Sequence, residues 1–263
     1  MDIRLDGKTA LITGGSRGLG RAMAIEFARS GGAVAIAARD PVALSEARDE
    51  IATAAPKARI AAIGCDISTS EGCEAAHAQA VKELGQIDIL VNNAGTSRRG
   101  PFLEIDDAAW QADFDLKVFA AIRLTRLVMP GMKKQGWGRI INVLNIGAKA
   151  PAAQSAPTSV SRAAGLAITK ALSQEGAEHG VLVNAMHVGL IDSDQWVRRH
   201  AADPNAGTYE QYIAAMAAER KIPLGRIGRA EEFANMACFL ASDAASYITG
   251  VSINVDGGAS PVV

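Results

Sequence analysis

The sequence predicts an α/β protein: one doubly wound parallel sheet in a single domain. Three observations carry this. Short apolar runs alternate with amphipathic stretches along the whole chain, the pattern of strands joined by crossover helices. The second run, Ala33-Val34-Ala35-Ile36-Ala37-Ala38, is continuously apolar, as expected for a parallel strand covered on both faces. The first connection, Thr13-Gly14-Gly15-Ser16-Arg17-Gly18-Leu19-Gly20, reads strand, glycine turn, helix. Glycines lack a Cβ, so their backbone N–H groups can approach an anion, and the helix behind points its positive end at the same place. Gly14, Gly18 and Gly20 follow the order G-x-x-x-G-x-G, not the G-x-G-x-x-G of most dinucleotide folds. A glycine turn of this kind either cradles a phosphate or is a plain tight turn.

The elements follow in order. The first strand is expected at 9–12 and the first helix at 21–30, where Leu19, Met23 and Phe27 recur at helical spacing and Gly31-Gly32 closes it. The second strand, 33–38, ends at Arg39-Asp40-Pro41. A polar helix at 42–54 leads to a strand at 59–65, ending in Asp66-Ile67. A helix at 70–84 leads to a strand at 87–91, followed by Asn92-Asn93-Ala94-Gly95. A long helix is expected over 108–135, a strand at 139–144, a helix at 159–178 and a strand at 181–187. The stretch 190–223 is irregular, with one or two short helices and a mobile Pro204-Asn205-Ala206-Gly207. A helix at 231–240 and a strand at 251–255 complete the domain, 1–263.

Composition bounds the function. The chain has 263 residues, 49% of them apolar and 21% charged, and a formal net charge of -1. Near-neutral charge and 5% aromatics give no support for a nucleic-acid surface. No apolar run approaches the length that crosses a bilayer, and Met1-Asp2-Ile3-Arg4 shows no signal core. Cys65, Cys73 and Cys238 have no metal-ligand or C-x-x-C spacing. They suit packing in a reducing cytoplasm, and no metal site is expected.

Thr13 to Gly20, Asp66-Ile67, Asn92-Asn93-Ala94-Gly95, and Pro223-Leu224-Gly225-Arg226 through Asp256-Gly257-Gly258 fall at the intervals of a known family. The chain resembles the classical short-chain dehydrogenase/reductases along essentially its whole length, with the general look of the 3-oxoacyl reductase-like members. The resemblance implies a Rossmann-type sheet, a nicotinamide cofactor across the carboxyl ends of the strands, a homotetramer and a substrate lid at 190–223. It implies that Gly14, Ser16, Gly18, Leu19 and Gly20 line the pyrophosphate turn and that Asp66 and Ile67 meet the adenine. It places Asn93, Ala94 and Gly95 beside the ribose, and puts Arg162, Gly189 and Ile191 on the cofactor. An NAD enzyme would carry an acid where the second strand ends. Here that place is Ala38, followed by Arg39, with Arg17 in the turn. Two guanidinium groups suit a 2′-phosphate, so the expected cofactor is NADP(H), unless both arginines are simply solvated.

The resemblance breaks at the chemistry. The family reduces carbonyls with a Ser, a Tyr, a Lys three residues beyond the Tyr and an Asn on the preceding long helix. At those places stand Asn145, Thr158, Arg162 and Lys117, and Val188-Gly189 replaces a Pro-Gly. A phenol has a pKa of about 10 that a cation can lower, whereas an aliphatic hydroxyl is far harder to ionise. Thr158 alone should not supply the about 10²–10⁴-fold that a positioned acid gives. Arg162 can still hold ribose hydroxyls and Asn145 can still orient a carbonyl. For the missing proton donor the sequence offers His187, at the end of the sixth strand, or a packing histidine there. Lys117 offers a cation or a desolvated acid, or a solvated helix face. Asp192 and Asp194 offer carboxylates or helix caps. Lys117 and Arg162 with Arg98 and Arg99 could form a cationic mouth for an acidic substrate.

Three functions stay open. One is an NADP(H)-dependent oxidoreductase acting on a carbonyl or alcohol through a non-standard site. Another is a cofactor-binding protein without turnover, acting as a sensor or as partner in a hetero-oligomer. The third is a non-redox lyase or isomerase.

Overall fold

The computed structural model of the chain describes residues 3–202 and 207–263, apart from the side chains of Asp194, Gln195 and Arg198. Seven parallel strands form one sheet in the order β3-β2-β1-β4-β5-β6-β7. They are β1 Thr9–Thr13, β2 Ala33–Ala38, β3 Ile60–Gly64, β4 Ile89–Asn92, β5 Gly138–Asn145, β6 Val181–Val188 and β7 Ser252–Val255. The order reverses between β1 and β4, so the connections after these strands diverge to opposite faces and open a crevice at their carboxyl ends.

Alternation along the strands divides the apolar side chains between two cores. Ile12, Ile36, Val143 and Met186 face α1 (Gly18–Arg29), α2 (Pro41–Ala54) and α9 (Ala230–Ala241), where Phe27 and Phe233 are fully enclosed. Leu11, Ala35, Leu90, Ile140 and Val183 face α3 (Ser70–Leu84) and α5 (Ala120–Gln135), meeting Ala76, Ala80, Leu124 and Met132. The sheet is covered on both sides, which is why β2 reads as an unbroken apolar run.

Two elements depart from expectation. Helix α1 begins at Gly18, three residues before the first amphipathic residue, because Gly18 and Gly20 belong to the helix and not to the turn. The long helix over 108–135 is α4 (Asp107–Phe114) and α5 joined by a wide π-type turn, Asp115–Phe119. That turn carries Lys117 and Val118 inwards to buried positions; such turns often mark functional sites. The remaining strand and helix limits fall within two residues of the expected ones.

The stretch 190–223 holds two helices, α7 (Asp194–Ala201) and α8 (Tyr209–Glu219). Helix α8 opens with a capping box in which Thr208 accepts from Gln211 and the Gln211 side chain accepts from Thr208. Of the turn expected to be mobile, Pro204, Asn205 and Ala206 lie outside the described residues. Between β5 and β6, helix α6 (Thr158–Ala177) starts beside the crevice.

Candidate active site

The crevice is braced by a cross-link between β1 and β4. Thr13 Oγ1 donates to the Val91 carbonyl at 3.2 Å and accepts the backbone N–H groups of Asn93 and Ala94, each at 3.0 Å. The Asn93 amide returns a bond to the Thr13 carbonyl at 2.8 Å. A Cβ on Gly20 would stand 2.2 Å from the Gly14 carbonyl oxygen and 2.6 Å from Asn93 Nδ2. Only glycine lets α1 sit this close to the turn. Gly14 also needs its freedom, with φ at +65°. Helix α1 has no side-chain cap at its first turn and no acidic residue there, so its leading N–H groups stay open for an anion.

A trough runs across this brace in two joined halves that share Gly14, Arg17, Ala94, Gly95 and Thr96. The outer half, about 420 Å³, is lined by Ser16, Ala38, Arg39, Asp66 and Ile67. The inner half, about 460 Å³, is lined by Gly18, Leu19, Gly20, Asn93, Asn145, Thr158 and Arg162. Two linked compartments around a glycine turn fit the two halves of a dinucleotide. In the outer half, burial works against the Asp66 carboxylate, yet two bonds from Ser68 and the nearby Arg39 charge hold it below the usual range. Arg39 Nη1 lies 3.8 Å from Asp66, and Arg17 Nη2 lies 2.6 Å from Asp40. Both arginines are therefore partnered at the rim, and Asp40 is also the cap of α2, accepting from Val42 and Ala43.

The inner end holds a buried polar cluster. Lys117 pairs with Asp113 one helical turn before it, and the Lys117 side chain is 0% exposed. Lys117 Nζ also donates to Thr158 Oγ1 at 2.9 Å. Ser161 Oγ donates to the second Asp113 oxygen at 2.6 Å. The Thr158 hydroxyl donates to the Arg98 carbonyl at 2.8 Å and accepts the Arg98 N–H at 3.0 Å. It thereby pins the rim loop to the start of α6, where Arg99 also bridges to Pro157. Arg162 Nη1 donates to the Val143 carbonyl at 2.7 Å, and a Cβ on Gly95 would stand 2.2 Å from Arg162 Nη2. Burial pushes Lys117 down to about 8, against the pull of Asp113 and with help from Arg162 and Arg98. Burial lowers Arg162 to about 10, still a cation at neutral pH.

Each expected residue has a definite place. Asn145, Thr158 and Arg162 converge on the inner cleft. Asn145 Oδ1 is enclosed with no hydrogen-bond partner, an amide of the kind a bound polar group would satisfy. Lys117 is neither a solvated helix face nor part of an open mouth: it lies beneath the cleft and reaches it through Thr158. Arg98 and Arg99 are exposed at the rim.

His187 is a correction. It is 0% exposed and lines neither half of the trough. Its Nδ1 lies 2.7 Å from the Asn145 carbonyl, which can only accept, so Nδ1 carries the proton and Nε2 accepts from Ser252 Oγ at 2.6 Å. Burial holds this ring below the usual histidine range. Both nitrogens are used in joining β5, β6 and β7, and none is left for a substrate.

Gly189 and Ile191 also lie outside the trough. Gly189 packs against Asp256, where a Cβ would meet the Asp256 Cα at 2.5 Å. Ile191 lines a separate cleft of about 490 Å³ with Leu190, Pro223 and Leu224. Asp192 accepts from the Tyr209 hydroxyl, linking the start of the 190–223 stretch to α8. The Asp194 side chain falls outside the described residues.

Two residues of the cluster, Asp113 and Ser161, were not singled out in the sequence. The Asp113/Lys117 spacing of four on a helix was the available signal, and nothing local pointed to Ser161.

The family model described as "Enoyl-(Acyl carrier protein) reductase" matches residues 14–260. An acetoacetyl-CoA reductase of Shinella zoogloeoides is 36% identical over 95% of this chain and 98% of its own. The L-sorbose reductase of Gluconobacter frateurii, solved with NADPH and L-sorbose, superposes with a TM-score of 0.94 at 34% identity over 100% of both chains. A short-chain oxidoreductase of Pseudomonas aeruginosa PAO1, solved with NADPH bound and described as containing an atypical catalytic center, gives a TM-score of 0.91 at 35% identity over 99% of both chains.

Proposed function

Because this chain belongs to the classical short-chain dehydrogenase/reductase family, we propose that it is an NADP(H)-dependent oxidoreductase acting on a carbonyl or alcohol through a lysine–threonine proton relay. One observation carries the reading: a single cleft joins the glycine turn to Asn145, Thr158 and Arg162, with the Lys117 ammonium directly behind Thr158. When bound, the nicotinamide supplies or accepts the hydride. The NADPH-bound neighbours, Arg39 after β2 and Arg17 in the turn support the choice of NADP(H).

The residues do the rest. The Asn145 amide, whose oxygen lacks a partner, orients the substrate oxygen in the inner cleft. Arg162, a cation held against Val143, draws negative charge onto that oxygen as the carbonyl is reduced. The Thr158 O–H bond rotates from the Arg98 carbonyl to the substrate oxygen and gives up its proton while Thr158 Oγ1 takes one from Lys117. The hydroxyl never becomes an alkoxide, which removes the difficulty of ionising it. Lys117, at about 8, has the near-neutral acidity that suits a general acid; it ends as an amine and recovers its proton back through the Thr158 hydroxyl once the product has left the cleft.

The substrate carries an acidic group. Arg162 lines the inner cleft as a cation, and Arg98 and Arg99 add charge at the rim. The described part of the 190–223 stretch, whose Ser193 lines the inner half, serves as the lid over this end. A cytoplasmic homotetramer that binds no metal, nucleic acid or membrane completes the reading; among the described residues no helix is long and apolar enough to cross a membrane.

The test is calorimetric titration with NADPH and NADH, followed by NADPH oxidation against a panel of acidic carbonyl compounds. NADPH-selective binding with turnover supports the reading. A second reading has its own observation: the Thr158 hydroxyl is already bonded to Arg98 and Lys117 is closed off. Tight NADPH binding with no turnover on any panel member favours that cofactor-binding sensor or hetero-oligomer partner.

A further inference from the structure

We infer that Asp113 is a positioning residue of this site: its ion pair with Lys117, oriented by Ser161, aims the lysine ammonium at the Thr158 hydroxyl.

The geometry is specific. Asp113 is 4% exposed and Lys117 6%, so water does not compete for either charge. The two Asp113 oxygens have different duties. One pairs with Lys117, and the other accepts from Ser161 at 2.6 Å. Ser161 stands on α6, three residues after Thr158, and also donates to the Thr158 carbonyl at 3.1 Å. The carboxylate is thus gripped by the same helix turn that presents the relay hydroxyl. With the carboxylate fixed, the ammonium has one remaining close partner among the described residues, Thr158 Oγ1 at 2.9 Å.

The groups facing Lys117 come from three elements: Asp113 on α4, Arg162 on α6 and Arg98 on the rim loop. Asp113 is the one negative charge among them. Burial, Arg162 and Arg98 all press the ammonium to lose its proton, and Asp113 opposes them. Without Asp113, nothing among these groups opposes that loss, and Lys117 gives up its proton more readily.

This inference deepens the proposed relay and rests on it for its functional meaning, but its test needs no turnover. The full chain, labelled with ¹³C at lysine Cε, is titrated by NMR with and without NADPH, and the Lys117 signal is assigned by its loss in Lys117→Met. In the native protein Lys117 should titrate well below the ordinary lysine value of 10.5. In Asp113→Asn, which keeps the shape and removes the charge, its midpoint falls by at least about one pH unit, a tenfold change. Asp113→Ser, which leaves room for water, carries the same expectation should the Asn variant not fold. Asp113→Glu, which keeps the charge, returns the midpoint towards the native value. A folded charge-removing variant with an unchanged Lys117 midpoint overturns the inference, whatever its melting temperature. A shifted midpoint with no NADPH oxidation by the native protein leaves the positioning role standing and removes the redox reading instead.

Discussion

Lys117 Nζ donates to Thr158 Oγ1 across 2.9 Å, joining the wide turn after α4 to the first residue of α6. The bond links the two residues that the family resemblance sets at the asparagine and tyrosine positions, and the proposed chemistry depends on the protonation of the lysine end.

The pH dependence follows with a definite sign. Lys117 is a donor only as the ammonium, so NADPH oxidation should be constant below its value of about 8 and fall as pH rises through it. Stability runs the other way. Between about 8 and the ordinary 10.5 the unfolded chain holds this proton and the folded chain has released it, so Lys117 makes stability rise with pH across that window. A stopped-flow pH profile and thermal melts from pH 7 to about 10.5 check the two signs.

Thr158 Oγ1 is the atom that the proposed relay shares between Lys117 and the substrate. Thr158→Ala should cost about 10²–10⁴-fold in kcat, while Thr158→Ser keeps most of it. NADPH affinity should move little in either variant. Equal kcat for the alanine and serine variants would rule Thr158 out of proton transfer.

The standard catalytic set can be rebuilt. Asn145→Ser, Thr158→Tyr, Arg162→Lys and Lys117→Asn together should raise generic carbonyl reduction. Lys117→Asn strips Asp113 of its counter-ion, so the fivefold variant with Asp113→Asn should be the more stable one. A folded, NADPH-binding form without activity on simple ketones would contradict this assignment of positions.

His187 belongs to stability. His187→Ala leaves the Asn145 carbonyl and the Ser252 hydroxyl without their partner and should cost about 2–4 kcal/mol by denaturant unfolding. The folded variant should retain NADPH binding.

Cofactor choice should rest on the rim. Arg39→Ala should weaken NADPH at least about tenfold and NADH hardly at all, by loss of one charge-assisted bond. Arg17→Ala should do less, because Arg17 already spends its charge on Asp40. Gly20→Ala should abolish binding of both, since its Cβ would stand 2.2 Å from the Gly14 carbonyl.

What the sequence made legible was local or periodic. The glycine turn, the apolar β2 and the arginine after it are contiguous stretches whose residue types fix their conformation. Asn145, Thr158 and Arg162 could be placed because the family resemblance assigns them the serine, tyrosine and lysine positions, and all three line one cleft. The misreadings have a common cause. A strand-end position gave His187 a height in the sheet but not the face its ring takes, which β7 decides through Ser252. Helical periodicity continued straight through Asp115–Phe119 and hid the wide turn that buries Lys117. Ser161 meets Asp113 across 48 residues of sequence, and no local pattern encodes such a contact.

The clasp between Thr158 and Arg98 has a consequence for timing. The O–H bond that fastens the rim loop is the one the proposed relay would use, and it cannot do both at once. As it swings towards a substrate oxygen, the Arg98 carbonyl is left without its donor, and the loop is held by its remaining bonds. In the proposed relay, proton delivery would therefore also be an unfastening: the doorway would loosen in the same event that completes the product, and refasten when the hydroxyl turns back.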